Sequence, residues 1–169
     1  TEAGNAFAWG SHALAFDEPG RYRTSMAFGA MGHATTGVVG AALARNQRAV
    51  ALIGDGAMLM SCELSTAAAT QAPALWIVLN DARYGMIDEG MQALGWRPFA
   101  TEIPRVDFAA MAATLGVPGE RVHEESELDD AITRGMQASG PYVVDVTLSR
   151  TEPAPSGARN DSLKRDGAV

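Results

Sequence analysis

Three short runs of the chain are rich in strand-forming residues. Ala49-Val50-Ala51-Leu52-Ile53 leads into Gly54-Asp55-Gly56, and Leu75-Trp76-Ile77-Val78-Leu79 leads into Asn80-Asp81. Tyr142-Val143-Val144-Asp145-Val146-Thr147-Leu148 follows Gly140-Pro141. The first two lack the in-and-out rhythm of a half-buried strand, as expected of parallel strands covered on both faces. The intervening segments read as helices. Residues 31–44 are rich in Ala and Gly, with Val38, Val39 and Leu43 as the larger apolar positions, and 62–71 is Ala-rich and stops before Pro73. Within 106–115, Phe108, Met111 and Leu115 fall three and four apart, ahead of Gly116. The segment 126–138 opens on Ser126 with Asp129 three positions later, which predicts a cap at Ser126 and acids in the first turn. Strand and helix alternate, so the predicted class is α/β: a doubly wound, mostly parallel sheet between two helical layers, in one domain spanning 1–150. Residues 151–169 carry little apolar content and no period, and are expected to be a flexible tail or a lid that orders over a ligand. No internal repeat is present.

Composition narrows the function classes. At 169 residues with 47% hydrophobic and 20% charged positions, the chain has one domain's length and enough apolar material for a core. Thirteen basic against twenty acidic residues give a net charge of −7, which argues against a nucleic-acid binder. The single cysteine, Cys62, excludes an internal disulfide framework and a Cys-based zinc cluster, and is expected to be a small buried residue. No apolar run approaches the roughly 18 residues of a membrane span, and the opening TEAGNAFAWG lacks the pattern of a secretion signal. A cytoplasmic location is the expectation.

Ligands of doubly wound sheets bind outside the carboxyl ends of the strands. Two such ends here carry Gly54-Asp55-Gly56 and Asn80-Asp81, and Asp55 and Asp81 are 26 positions apart, room for a turn, a crossover helix and a returning strand. Both acids are hard oxygen ligands of the kind Mg²⁺ or Ca²⁺ prefers. The glycines permit close backbone approach to a bulky anion, and free N–H groups before the next helix favour it. Spacing alone therefore suggests a metal–diphosphate clamp. It leaves equally open an α/β domain that simply has two acids in turns.

The stretch GDGAMLMSCELSTAAATQAPALWIVLNDARYGM resembles the diphosphate-binding signature of thiamine-diphosphate (ThDP) enzymes. TEAGNAFAW and AFGAMGHATTGVVGAALA are similar to segments of acetolactate synthases, and VDFAAMAATLGV and GPYVVDV resemble that family's distal helix and last strand. The likeness runs from Thr1 to Leu148. It implies the ThDP-binding fold, with Asp55 and Asp81 giving side-chain oxygens and Arg83 its backbone carbonyl to Mg²⁺. It implies that the Gly54-Asp55-Gly56 turn, Ala57, Gly85 and Met86 surround the diphosphate, with backbone N–H groups from Gly56, Ala57, Gly85 and Met86, and that Gly4, Asn5 and Ala6 donate from across the crevice. The Gly29 carbonyl would accept from the cofactor's exocyclic amine, and Met31 would wedge beneath the cofactor to keep it bent. Met31, Gly29 and Gly85 also have plainer readings, as core packing and turn glycines.

Several positions depart from the family pattern. Asp81 replaces the more frequent Asn and adds a negative charge, and Ala6 stands where those synthases have a diphosphate-contacting His. Gly90 stands where they have a Trp, which removes a wall of the acceptor pocket. Ile87 stands where decarboxylases of the pyruvate type have a glutamate, with Asp88 and Glu89 beside it as replacements or as solvated acids. Glu63 reads as a first-turn acid, His33 as a rim or core residue, and His12 and His123 as surface residues. The activating carboxylate belongs to a pyrimidine-binding domain for which 169 residues leave no space. The chain is therefore expected to be one subunit of a split enzyme, a hetero-oligomer of the α2β2 kind, or a piece of a longer polypeptide. The implied reaction is decarboxylation of a 2-oxo acid with transfer of the acyl unit to an acceptor carbonyl. Aldehyde release, a non-catalytic ThDP-fold module and an unrelated nucleotide-binding protein are the alternatives.

Overall fold

The computed structural model describes residues 1–60 and 63–165. Strands β1 (Ala49–Gly54), β2 (Ala74–Asn80), β3 (Gly119–Val122) and β4 (Tyr142–Thr147) form one sheet in the order β1-β2-β4-β3, with every neighbouring pair parallel. The register sets Ala51 beside Trp76 and Trp76 beside Val143, so one row of side chains crosses the sheet. Helices are α1 (Asn5–Ala13), α2 (His33–Arg45), α3 (Asp55–Met58), α4 (Glu63–Thr70), α5 (Gly85–Ala93), α6 (Phe108–Thr114), α7 (Leu128–Gln137) and α8 (Gly157–Arg165). None of them is long and apolar enough to cross a membrane.

Both faces of the sheet are packed, which accounts for the unalternated strands. On one face Ala51, Ile53, Trp76, Val78 and Val143 meet Val39 and Ala42 of α2, Leu64 and Ala67 of α4, and Phe108 of α6. On the other, Leu75, Val122, Val144 and Val146 lie under Leu128 and Ala131 of α7. Full burial of side chains such as Ile53, Met58 and Phe108 contributes about 1.5–3 kcal/mol each. Ala42 and Ala67 are completely buried, and their small size lets α2 and α4 lie close to the strands. The three-layer α/β architecture read from the sequence is the one observed.

Two details differ from expectation. The chain before α7 turns through a 3₁₀ segment, Glu125–Glu127, which contains Ser126, so its hydroxyl is not at the cap. Glu127 Oε2 instead reaches back to the N–H groups of His123 (3.0 Å) and Glu124 (3.1 Å). The strand β3 reads GERV and gave no apolar signal, because its middle residues pair with other side chains: Glu120 with Arg134 and Arg121 with Asp145. Beyond residue 150 the chain forms α8, which packs on α5, with Ala154 and Ser156 buried ahead of it. Glu63 does open α4, while Cys62 lies outside the described residues.

Candidate functional site

Because β1 and β2 are neighbours with Gly54 opposite Leu79, their carboxyl ends open side by side. Asp55 begins α3 there and is only 3% exposed. Its Oδ1 accepts from the N–H of Gly56 (2.7 Å) and its Oδ2 from the N–H of Ala82 (2.6 Å). Ala82 follows Asp81 in a left-handed conformation, φ 57°. Asp81 has its own cation: Arg83 Nε lies 2.7 Å from Asp81 Oδ2, and the same guanidinium is 3.3 Å from Asp88 and 3.7 Å from Glu89. Asp55 has no ion-pair partner among the described residues. Burial, reinforced by the charge of Asp81, pushes its carboxyl up to about 6 against the pull of the backbone N–H groups. A carboxylate in this position is short of a positive charge.

The walls around the two acids are built to be thin. A Cβ on Gly56 would stand 2.7 Å from the Tyr84 ring, and one on Gly85 would stand 2.9 Å from Asn5 Nδ2 and 3.2 Å from Asp81 Oδ2. A side chain at Gly56 would run into the Tyr84 ring, and one at Gly85 would displace the Asn5 amide. The helix α1 begins at Gly4, whose φ of 96° suits glycine, and the N–H groups of Asn5 and Ala6 open its first turn without helical acceptors. Two residues earlier the fully buried Glu2 fixes this entry, because its Oε1 accepts from Ala34 N (2.7 Å), Thr35 N (3.0 Å) and the Thr35 hydroxyl (3.1 Å) at the start of α2. Asn5 Nδ2 donates to Glu89 Oε1 across the crevice at 3.0 Å, while the buried Asn5 Oδ1 has no partner among the described residues.

The positions for which the resemblance implies a cofactor or metal role line this one cleft: Gly4, Asn5, Ala6, Gly29, Met31, Gly54, Asp55, Gly56, Ala57, Asp81, Arg83, Gly85 and Met86. The Met31 sulfur sits 3.8 Å from where a Gly56 Cβ would be, and Gly29 adopts φ 71°. Two donors are already engaged: the Gly56 N–H by Asp55 and the Gly85 N–H by the Arg83 carbonyl at 2.9 Å, which leaves that carbonyl a second lone pair. Among the described residues no three His, Cys, Asp or Glu side chains are placed to hold a metal ion together. A cation held by the two acids therefore needs further oxygens from backbone or ligand.

The neighbouring acids are not solvated. Asp88 is buried and accepts from Arg83, from the Thr101 hydroxyl (2.8 Å) and from the Gln92 amide. Glu89 lines the cleft with its carboxyl raised by burial, the hydrogen bond from Asn5 and the charge of Arg83 acting the other way. Gly90 leaves no gap, since a Cβ there would be 3.4 Å from the Arg159 guanidinium of α8. His12, His33 and His123 are exposed and do not line the cleft. Sequence reasoning passed over Tyr84, Ser149 and Glu152, which do. Trp9, Met31 and Ile87 bring apolar surface to its mouth, and Phe28, beside Gly29, is 91% exposed.

Comparison with known proteins identifies the family. The model of the family described as thiamine pyrophosphate enzyme, C-terminal TPP binding domain, matches residues 2–146. The acetolactate synthase isozyme 2 large subunit of Escherichia coli is 28% identical over 171 residues, covering 96% of this chain and 31% of that protein. The acetolactate synthase of Bacillus subtilis is 30% identical over 89% of this chain and 27% of its own length. The chloroplastic acetolactate synthase 2 of Zea mays is 30% identical over 99% of this chain and 28% of its own length. The chain thus spans about three tenths of the length of these curated relatives. A match that runs from Glu2 through the last strand, and takes in both acids and the glycines between them, places the chain in the thiamine pyrophosphate enzyme family, as its C-terminal TPP-binding domain.

Proposed function

We propose that the chain supplies the diphosphate- and Mg²⁺-binding half of an acetolactate synthase-like enzyme that decarboxylates a 2-oxo acid and passes the acyl unit to an acceptor carbonyl. The other half, a pyrimidine-binding domain with its activating carboxylate, comes from a second subunit or from another part of a longer polypeptide. One observation carries this reading: Asp55, buried and raised to about 6, faces Asp81 in a cleft whose walls Gly56 and Gly85 keep thin. A divalent cation answers that deficit of positive charge, and a diphosphate supplies the remaining hard oxygens.

The residues divide the work. Asp55 and Asp81 hold the cation with the Arg83 carbonyl, and Arg83's guanidinium offsets the charge that Asp81 adds. The first turn of α1 at Asn5 and Ala6 and the backbone at Gly54, Gly56, Ala57, Gly85 and Met86 receive the diphosphate. The Gly29 carbonyl accepts from the cofactor's amine and the Met31 thioether supports the ring system. When bound, ThDP supplies a nucleophilic carbon and a sink for the electrons left by CO₂. Ile87 offers no proton at the cleft and Asp88 is turned into its own hydrogen bonds, which favours transfer to an acceptor over protonation. Aldehyde release is the second reading, and Glu89 favours it as a cleft-lining carboxyl with a raised pKa.

Equilibrium binding of ThDP with Mg²⁺ to the intact protein, before and after Asp55→Ala, tests the site. Loss of binding in the variant supports it, and preference for a nucleotide over ThDP overturns it. Product analysis with a 2-oxo acid and the pyrimidine-binding half separates a coupled hydroxy-keto product from a free aldehyde. ThDP binding without any turnover assigns the chain to a non-catalytic module.

A further inference from the structure

We infer that Arg150 is a positioning residue for the cation site, acting through the backbone of the loop that carries Asp81. The inference rests on the reading that Asp55 and Asp81 hold a divalent cation. Arg150 follows β4 and does not itself line the cleft, although Ser149 before it does. Its Nε donates to the Asp81 carbonyl at 2.7 Å and one terminal nitrogen donates to the Ala82 carbonyl at 3.0 Å. The remaining edge of the guanidinium is held in a two-point contact by Glu102, at 3.0 and 2.9 Å. Glu102 is fixed in turn by a backbone bridge to Arg83. One planar fork therefore ties two consecutive carbonyls of the loop to a strut on its far side.

The loop needs such a tie. Ala82 has a side chain yet sits at φ 57°, a conformation that persists only when its surroundings hold it. Its N–H donates to Asp55 Oδ2, and its carbonyl accepts from Arg150 and from Ile103 N at 3.1 Å. The Asp81–Ala82 and Ala82–Arg83 peptides thus set where Asp81 stands relative to Asp55, and Arg150 grips the carbonyl of each. A lysine cannot take over, because an ammonium has no planar fork with which to bond both carbonyls and a carboxylate together.

The test uses Mn²⁺ with ThDP on the intact protein, read by the electron paramagnetic resonance of free and bound Mn²⁺. Arg150→Gln should weaken Mn²⁺ binding by about 10–100-fold, and Arg150→Lys should not restore it. In metal-free protein, amide exchange at Ala82 and Arg83 should quicken in Arg150→Gln while the strands keep their protection. Wild-type Mn²⁺ affinity in Arg150→Gln, full rescue by Arg150→Lys, or unchanged exchange at Ala82 would each overturn the inference. If Arg150→Gln does not fold, Arg150→Lys and Glu102→Gln carry the same measurements, with weakened binding expected in both. Wild-type protein that binds no Mn²⁺ with ThDP marks the failure of the cation reading itself, whereas the exchange result judges the role of Arg150 in the loop on its own.

Discussion

Asp145 and Asp55 are both buried acids towards the carboxyl ends of the strands, yet their surroundings differ in kind. Asp145, within β4, accepts from Asn80 Nδ2 (2.8 Å) and Phe108 N (3.0 Å) and lies 3.6 Å from Arg121 Nε. It joins the end of β2, the start of α6 and the edge strand β3, and its charge is answered by the protein itself. Asp55 also accepts from backbone donors, but the charge that acts on it is another carboxylate, Asp81. Burial is common to the two and does not mark function. The unanswered charge does.

The largest test of this contrast is Asp145→Ala. It strands Arg121, Asn80 and the Phe108 N–H, so the domain should lose about 3–5 kcal/mol in urea unfolding. Asp55→Ala should abolish binding of ThDP with Mg²⁺ while changing the metal-free stability at pH 7 much less. Removing a carboxyl whose ionisation is unfavourable there offsets the loss of its backbone hydrogen bonds, each worth about 1 kcal/mol. A stability loss as large as that of Asp145→Ala would erase the distinction.

The pH dependence sharpens it. Asp55's folded pKa lies above its unfolded value of 3.8, so the folded state binds more protons between the two. Its contribution is most favourable below pH 4 and is lost as pH rises through 6, amounting to roughly 3 kcal/mol at about 1.4 kcal/mol per pH unit. Wild type should lose that much relative to Asp55→Ala between pH 4 and 7, and saturating ThDP with Mg²⁺ should remove the difference. The smallest effect belongs to Asp81→Asn. Asp55's pKa should move down towards the ordinary range, and Mg²⁺ affinity should fall less than in Asp55→Ala. An Asp55 pKa unmoved by Asp81→Asn, followed by NMR titration, would show that burial alone sets it.

The strands were legible because an apolar run without alternation has few other meanings, and β1, β2 and β4 start and end close to where the runs do. The polar β3 escaped for the same reason: Glu120 and Arg121 are satisfied by partners that no local pattern announces. In the site, Asp55, Asp81 and the glycines between them could be read because they occupy fixed places at strand ends and in a family signature. What holds them could not. Arg150 reaches Asp81 across 69 positions and Glu2 reaches Ala34 across 32, so neither carries a sequence signal. Gly90 shows the limit from the other side, since Arg159 covers the position where sequence reading expected a missing wall.

The apolar mouth of the cleft has a thermal consequence. A partner that covers Trp9, Met31 and Ile87 gains by removing hydrocarbon from water, a driving force that fades on cooling. An assembly closed over this cleft should accordingly be cold-labile, loosening in an ice bath and recovering on return to room temperature.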